Sequence, residues 1–159
     1  MPQPQTIGAR IGQQAPDFRL PDHRGGTVQL SALRGVAPVL LHFFPFAFTG
    51  VCAGEWAALR ALDNDLARTG TVLLGISCDS PHALAAFAER EAIGHDLLSD
   101  FWPHGAASTA YGLFLEDKGF ALRGTFLVDV AGIVRWSLVT GPAQARDVDE
   151  IRVGLKLLE

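Results

Sequence analysis

Apolar residues follow two patterns along the chain, and the two patterns alternate. Two runs, residues 38–44 and 71–77, are apolar at nearly every position, as in strands that are buried on both faces of a parallel sheet. After each run, apolar residues recur every three or four positions, which is typical of an amphipathic helix. Strands that alternate with helices in this way predict an α/β fold.

Two helices are predicted after these strands. The first begins near Cys52 and extends to about Ala67. The second extends from Pro81 to about Ala92, because Ser80 is a favourable N-cap and proline is favoured at the first helical position.

Shorter segments complete the predicted fold. They are an N-terminal hairpin of residues 18–20 and 27–30, a helical turn at 31–35, a strand at 96–99, a small helix ending at Tyr111, a hairpin of 125–129 and 133–138, and a last helix at about 148–158. An antiparallel hairpin joined to parallel strands makes the central sheet mixed. Residues 1–159 are predicted to form a single domain, since this length suffices for one complete core and no linker interrupts it. Residues 1–10 are predicted to be a flexible arm.

Composition and charge exclude several classes of function. Hydrophobic residues make up 48% and charged residues 19% of the chain, as in an ordinary soluble globular protein. The net charge of −4 and the lack of a Lys/Arg cluster argue against a nucleic-acid partner. The longest apolar run, residues 39–48, is too short to cross a bilayer, and the polar start of the chain has no targeting character. We therefore expect a cytoplasmic protein without a membrane partner.

The chain has two cysteines, Cys52 and Cys78, which are too few for a secreted disulfide scaffold. Cys52 falls in the first turn of a predicted helix, where backbone N–H groups lack acceptors and the helix dipole is positive. Such a position favours the thiolate, which is the reactive form of cysteine. We therefore predict that Cys52 is a nucleophile. Cys78 follows an apolar strand and is predicted to pack in the core.

The residues around this cysteine resemble a known family. The spacing Pro45-x-x-x-Thr49-x-x-Cys52 matches the active-site signature of the peroxiredoxins. Residues 123–129 resemble the segment that carries the active-site arginine of that family, which is Arg123 in this chain. The resemblance implies a thioredoxin-like fold and the reduction of hydroperoxides.

Two longer stretches narrow the resemblance. Residues 44–52 together with Glu55, and residues 97–105, are similar to the alkyl hydroperoxide reductase E subgroup of actinobacteria. This similarity implies a homodimer and an external thiol as reductant, with mycothiol and mycoredoxin or a thioredoxin-type protein as candidates. We expect no cofactor, and the spacing of the five histidines indicates no metal site.

Peroxide reduction is the attack of a thiolate on one oxygen of an O–O bond, which leaves a sulfenic acid on the sulfur. A thiol with a pKa of about 8.5 is roughly 3% ionised at pH 7, so complete ionisation gains only about 30-fold in rate. Most of the rate enhancement must therefore come from hydrogen-bond donors that stabilise charge on the peroxide oxygens.

The matched signature contains candidates for these donors. We expect the Thr49 hydroxyl to orient the peroxide beside the sulfur of Cys52, whose backbone N–H is a further donor. Thr49 is also an expected N-cap of the helix. Arg123 would hold a positive charge at the thiolate, and Glu55 would orient Arg123 through an ion pair. Pro45 would act as a lid that limits access to the sulfur.

Two questions stay open at this level. Phe46, Phe48 and Trp102 are either core residues or an apolar rim that favours alkyl hydroperoxides and packing of a dimer. Cys78 is either a core residue or a resolving cysteine that forms a disulfide with Cys52, although no cysteine occupies the resolving positions familiar in the family. A non-enzymatic redox sensor or chaperone is a further alternative. The interpretation that we favour is a one-cysteine peroxidase whose sulfenic acid is reduced by an external thiol.

Overall fold

The computed structural model describes residues 9–159 of the protein. Within this range the strands are β1 (Arg19–Pro21), β2 (Thr27–Gln29), β3 (Val39–Phe43), β4 (Val72–Ser77), β5 (Asp96–Ser99), β6 (Phe114–Leu115), β7 (Phe120–Ala121), β8 (Arg123–Val128) and β9 (Val134–Thr140). The α-helices of the same range are α1 (Gly50–Leu59), α2 (Asp63–Thr69), α3 (Pro81–Glu91), α4 (Ala106–Ala110) and α5 (Val148–Leu155). None of the helices in this described part of the chain has the length and apolar character needed to cross a lipid bilayer.

A five-stranded mixed sheet forms the centre of the molecule, with the strand order β5-β4-β3-β8-β9. Strands β3, β4 and β5 are parallel, whereas β8 and β9 join in antiparallel orientation. All five residues of β3 are buried, which explains why this segment is apolar at almost every position. The predicted α/β fold with a mixed sheet is confirmed, and so is the N-terminal hairpin, which consists of β1 and β2.

The side chains of β3 alternate between two hydrophobic cores. Leu41 and Phe43 lie in one core, whereas Leu40 lies in the other core together with Cys52. The alternation follows from the two-residue period of a strand. His42 therefore faces the side of the sheet on which Cys52 lies.

The first long helix differs from the predicted continuous helix to Ala67. Helix α1 ends at Leu59, a 3-10 turn of Arg60–Leu62 follows, and α2 comes directly after it. The reason lies in the spacing of the buried residues. Trp56, Leu59 and Leu62 are three residues apart and all buried, and a 3-10 helix, with three residues per turn, keeps such residues on one face.

The predicted flexible arm, residues 1–10, lies largely outside the described residues, which begin at Ala9. Ala9 is buried, and the N–H of Gly12 donates a hydrogen bond to the carbonyl of Val134 in β9 at 2.8 Å. Residues 9–12 are therefore attached to the end strand of the sheet.

The hairpin of β6 and β7 has no counterpart among the predicted elements. Each of its strands has two residues, which are too few to show an alternation of apolar and polar positions. The ring of Phe120 in β7 packs against Phe46, with centroids 5.2 Å apart. The hairpin thus supports the loop that leads to Cys52.

Candidate active site

Cys52 lies beyond the carboxyl end of β3, after a loop of residues 44–49. The N–H of Ala47 in this loop donates to the carboxylate of Asp79 at 2.8 Å. Helix α1 begins at Gly50, so Cys52 occupies its first turn, and the side chain is completely buried. The predicted position of this cysteine at the start of a helix is confirmed.

A guanidinium group contacts the sulfur. Arg123 is the first residue of β8, the antiparallel neighbour of β3, so it lies level with the end of β3. Its Nη1 donates to Sγ of Cys52 at 3.1 Å and to Oε1 of Glu55 at 2.6 Å. Its Nε donates to the carbonyl of Pro142 at 2.7 Å, and this hydrogen bond helps to fix the orientation of the side chain. The structure thus brings together Cys52, Arg123 and Glu55, the three residues that the resemblance indicated, and all of them are buried.

A second arginine, Arg146, belongs to the same cluster and was missed by the sequence analysis. It lies in the loop between β9 and α5 and is 6% exposed. Its Nε and its backbone N–H both donate to Oε2 of Glu55 at 2.8 Å, and its Nη2 donates to Oε1 at 2.8 Å. Glu55 therefore bridges Arg123 and Arg146, and the pair with Arg146 is bidentate. Residues 141–147 have no periodicity in the sequence, so nothing there marks Arg146 as buried.

The other edge of the Arg146 guanidinium contacts strands β3 and β8. Its Nη1 donates to the carbonyl of Phe43 at 2.7 Å and to Oγ1 of Thr125 at 3.1 Å. Its Nη2 lies 2.9 Å from Nε2 of His42. His42 was also missed, although a histidine within a strand that is otherwise apolar is a signal that could have found it.

The charges of this buried cluster follow from its contacts. Burial by itself would raise the pKa of Glu55, but the hydrogen bonds and charge of Arg146, with the charge of Arg123, bring it below its usual value. Burial lowers the pKa of His42 well below its usual range, and the two guanidinium groups lower it further. Glu55 is therefore ionised and His42 is neutral. Two cations and one anion leave the cluster with a single positive charge beside the sulfur of Cys52.

Thr49 is the residue before α1. Its side chain makes no hydrogen bond to the first turn of α1, which the structure describes in full. The hydroxyl instead donates to the carbonyl of Phe46 at 2.9 Å, so Thr49 occupies the expected N-cap position but makes no side-chain capping hydrogen bond. Because the proton is used within the loop, the hydroxyl oxygen keeps lone pairs that can accept a hydrogen bond from a substrate. Pro45 is buried in the same loop.

The aromatic residues expected to be either core or rim differ in their exposure. Phe46 is half-buried against Phe120. Phe48 is 45% exposed and packs on Phe87 of α3, with ring centroids 5.3 Å apart. Trp102 is 78% exposed. Phe48 and Trp102 therefore present aromatic surface, whereas Phe46 packs against the hairpin of β6 and β7.

Cys78 follows β4 and is 2% exposed. Burial, together with the carboxylates of Asp100 and Asp79, raises the pKa of its thiol to about 12. The thiol is therefore protonated at neutral pH and is a poor nucleophile. Both cysteines are free. These observations favour the core position expected for Cys78.

A buried cysteine at a helix N-terminus, contacted by a guanidinium group and placed at the carboxyl end of a central strand, defines a thiol oxidoreductase. The model of the AhpC/TSA family matches residues 11–137, and the chain belongs to this family.

Related proteins agree with this assignment. Alkyl hydroperoxide reductase E of Mycobacterium tuberculosis is 44% identical over 137 residues, which cover 86% of this chain and 90% of that protein. The crystal structure of reduced 2-Cys peroxiredoxin from Plasmodium vivax matches with a TM-score of 0.81 at 33% identity, over 93% of this chain and 79% of that one. Peroxidoxin BcpB of M. tuberculosis matches with a TM-score of 0.81 at 29% identity, over 95% of this chain and 99% of that one. The thioredoxin-like fold and the thiol-dependent peroxidase activity that the sequence implied are thereby confirmed.

Proposed function

We propose that Cys52 reduces hydrogen peroxide and organic hydroperoxides through a one-cysteine cycle. The thiolate sulfur attacks one peroxide oxygen, so that an S–O bond forms while the O–O bond breaks. The departing hydroxide or alkoxide takes up a proton and leaves as water or an alcohol, and the sulfur, having lost two electrons, becomes a sulfenic acid. An external thiol then attacks that sulfur and releases water, and a second thiol reduces the resulting mixed disulfide.

The observation that carries this proposal is the contact of 3.1 Å between Nη1 of Arg123 and Sγ of Cys52 in a buried site. A fixed guanidinium stabilises the thiolate and also the negative charge that develops on the peroxide. Since Arg146 neutralises much of the charge on Glu55, the positive charge of Arg123 is left for the sulfur and the substrate.

The loop before α1 supplies the remaining groups. The oxygen of Thr49 accepts a hydrogen bond from the peroxide O–H and so orients the oxygen that is attacked. The backbone N–H of Cys52, in the first turn of the helix, donates to the peroxide. Pro45 has no N–H and limits access of water to the sulfur.

The reductant comes from outside the chain. Cys78 is buried with a pKa of about 12, so its thiol is poorly suited to attack a sulfenic acid at neutral pH. Mycothiol with mycoredoxin is our first candidate, because mycobacterial proteins are among the relatives, and a thioredoxin-type protein is the second. Both require a reducing compartment, and we place the protein in the cytoplasm.

Exposed aromatic side chains on the surface favour apolar partners. Phe48 and Trp102, with Phe101 at 51% exposure, are large hydrophobic residues on the surface. We propose that they form an apolar rim on which alkyl hydroperoxides bind and two copies of the chain pack as a homodimer.

Replacement of each cysteine tests the catalytic cycle. We expect Cys52→Ser to abolish peroxide consumption with excess dithiothreitol, because a serine hydroxyl is not ionised at neutral pH. The matched control Cys78→Ser should keep a rate within about threefold of the wild type. Near-normal turnover of Cys52→Ser would refute the assignment.

Mass spectrometry under non-reducing conditions separates the one-cysteine cycle from its alternatives. After one equivalent of peroxide we expect a sulfenic acid on Cys52, trapped with dimedone. A disulfide between Cys52 and Cys78 would instead establish a two-cysteine peroxidase. Oxidation that occurs once and does not turn over with thiols would establish a redox sensor.

A further inference from the structure

His42 is a buried polar residue at the centre of the sheet. It is 1% exposed and lies in β3 between its partners Gly75 of β4 and Thr125 of β8. Its ring meets the indole of Trp56 edge-on, with centroids 5.1 Å apart and an angle of 76° between the planes. Gly75 makes this packing feasible, since a Cβ at that position would overlap the Trp56 ring.

The partners of His42 determine which ring nitrogen carries the proton. Nε2 lies 2.9 Å from Nη2 of Arg146. A guanidinium only donates hydrogen bonds, so Nε2 must be the unprotonated acceptor. The single ring proton is then on Nδ1, which points at Oγ1 of Thr125 at 3.5 Å. The neutral ring is thus held in one tautomer.

His42 completes the hydrogen bonding of a buried cation. The five N–H groups of the Arg146 guanidinium have five acceptors: two oxygens of Glu55, the carbonyl of Phe43, the hydroxyl of Thr125 and Nε2 of His42. An unpaired donor on a buried charged group is costly. In the orientation that binds Glu55, every N–H of Arg146 therefore has an acceptor only because the imidazole supplies the fifth one.

The orientation of Arg146 affects the sulfur of Cys52 through Arg123, because one nitrogen of Arg123 contacts both Glu55 and the sulfur. Nη1 of Arg123 contacts both Sγ of Cys52, at 3.1 Å, and Oε1 of Glu55, at 2.6 Å. If Arg146 holds Glu55 less firmly, the carboxylate must find compensation at Arg123. The carboxylate then draws the guanidinium toward itself, which lengthens the contact between Nη1 and the sulfur.

We propose that His42 is a positioning residue, which acts through Arg146 and Glu55 to keep Arg123 on the sulfur of Cys52. The inference rests on the proposed peroxidase function and adds to it a group that touches neither sulfur nor substrate. Its role requires the neutral ring, because a protonated imidazole would have no acceptor for Arg146 and would add a third cation to the cluster.

Three variants test this role. His42→Phe keeps an aromatic ring beside Trp56 and removes the acceptor. His42→Gln offers an amide oxygen toward Arg146. Leu40→Val is the matched control, since Leu40 lies two residues earlier on the same face of β3 and contributes only packing.

Two measurements are made on each variant. The first is the rate of alkylation of Cys52 by iodoacetamide as a function of pH, localised by peptide mass spectrometry. The second is the second-order rate constant of Cys52 oxidation by hydrogen peroxide. If the proposed function is wrong, the wild type will not react with peroxide. The alkylation profile does not depend on peroxidase activity, so it tests the His42 inference separately.

We expect His42→Phe to shift the alkylation profile to higher pH and to slow oxidation by about 10- to 100-fold, the effect of one lost hydrogen bond to a charged group. His42→Gln should recover the rate to within about threefold of the wild type, and Leu40→Val should leave the profile unchanged. An unchanged profile and rate in folded His42→Phe, or equal defects in the Phe and Gln variants, would overturn the inference.

If His42→Phe does not fold, the wild type itself still decides the question. Nitrogen-15 NMR of the imidazole should show the Nδ1–H tautomer throughout pH 6 to 8. An Nε2–H tautomer or an imidazolium in that range would overturn the inference, because neither can accept from Arg146.

Discussion

At the scale of single residues, the site depends on how one carboxylate divides its hydrogen bonds between two guanidinium groups. Oε1 of Glu55 accepts from both Arg123 and Arg146, whereas Oε2 accepts from Arg146 alone. Arg146 therefore neutralises most of the carboxylate. The consequence is that Arg123, although paired with an acid, still presents positive charge to Cys52.

The neutral state of His42 makes the stability of the protein depend on pH. The pKa of His42 is lowered in the folded state, so the unfolded chain binds more protons below about pH 6.5. The groups that face the ring are Arg146, Thr125, Trp56 and Glu55, whose Oε1 lies 4.0 Å from Nε2. Stability from this group is complete above pH 6.5 and is lost as the pH falls.

We expect urea unfolding to show this loss by comparison with His42→Gln. Between pH 7.5 and pH 5.5 the free energy of unfolding of the wild type should fall by on the order of 1 kcal/mol more than that of the variant. The other histidines are common to both proteins, so their titration cancels in the comparison. A difference that stays constant over this range would show that folding does not change the pKa of His42.

At the scale of elements, the loop that precedes Cys52 is attached to the ends of two neighbouring strands. Oδ2 of Asp79 accepts from the N–H of Ala47 at 2.8 Å and from the hydroxyl of Ser77 at 2.6 Å. The carbonyl of Asp79 accepts from the hydroxyl of Ser99 at 2.6 Å. Asp79, two residues after β4, thus links the loop before Cys52 to the ends of both β4 and β5.

Removal of this link should loosen the loop. We expect Asp79→Ala to slow oxidation of Cys52 by about tenfold, because the N–H of Ala47 loses a charged acceptor and the loop becomes less ordered. Hydrogen exchange of the Ala47 amide should accelerate in parallel. The control Asp79→Asn keeps an acceptor oxygen and should lie within about threefold of the wild type. Slow exchange at Ala47 in Asp79→Ala would show that other contacts order the loop.

At the scale of the whole molecule, the order of the strands assembles the site. Because β8 runs antiparallel to β3, with Phe43 opposite Gly124, the start of β8 meets the end of β3. Arg123 and Cys52, 71 residues apart in the chain, come into contact there. Because β9 is antiparallel to β8, it ends at the same end of the sheet as β3. The loop that follows β9 therefore brings Arg146 into contact with Glu55.

The exposed aromatic residues predict how the whole molecule associates. We expect sedimentation velocity to show a homodimer for the wild type and a monomer for Trp102→Glu, since a charge would replace the most exposed aromatic side chain of the rim. Val153→Glu is the control, because Val153 is 61% exposed on α5, an element that contains none of the proposed rim residues. Equal association of the two variants would place the interface elsewhere.

The sequence by itself determined the features that depend on neighbours in the chain. The apolar run of β3, the helix that begins beside Cys52 and the N-cap Ser80 arise from local periodicity and local hydrogen bonding. The pattern of Pro45, Thr49 and Cys52 is local too, and its resemblance to the peroxiredoxin signature predicted the chemistry. The spacing of three residues between Trp56, Leu59 and Leu62 is also local, and it is compatible with the 3-10 turn after α1. The prediction from the sequence was one continuous α-helix.

Only the tertiary structure decided which distant groups meet the sulfur. Arg146 lies 91 residues from Glu55 and 104 residues from His42 along the chain, and it stands in a loop whose sequence has no period. Its burial depends on the register of β3, β8 and β9 and on five acceptors that come from different elements. The physical reason is that a buried charge is stable only where the fold surrounds it with hydrogen-bond partners and an opposite charge. No local pattern in the sequence shows where that happens.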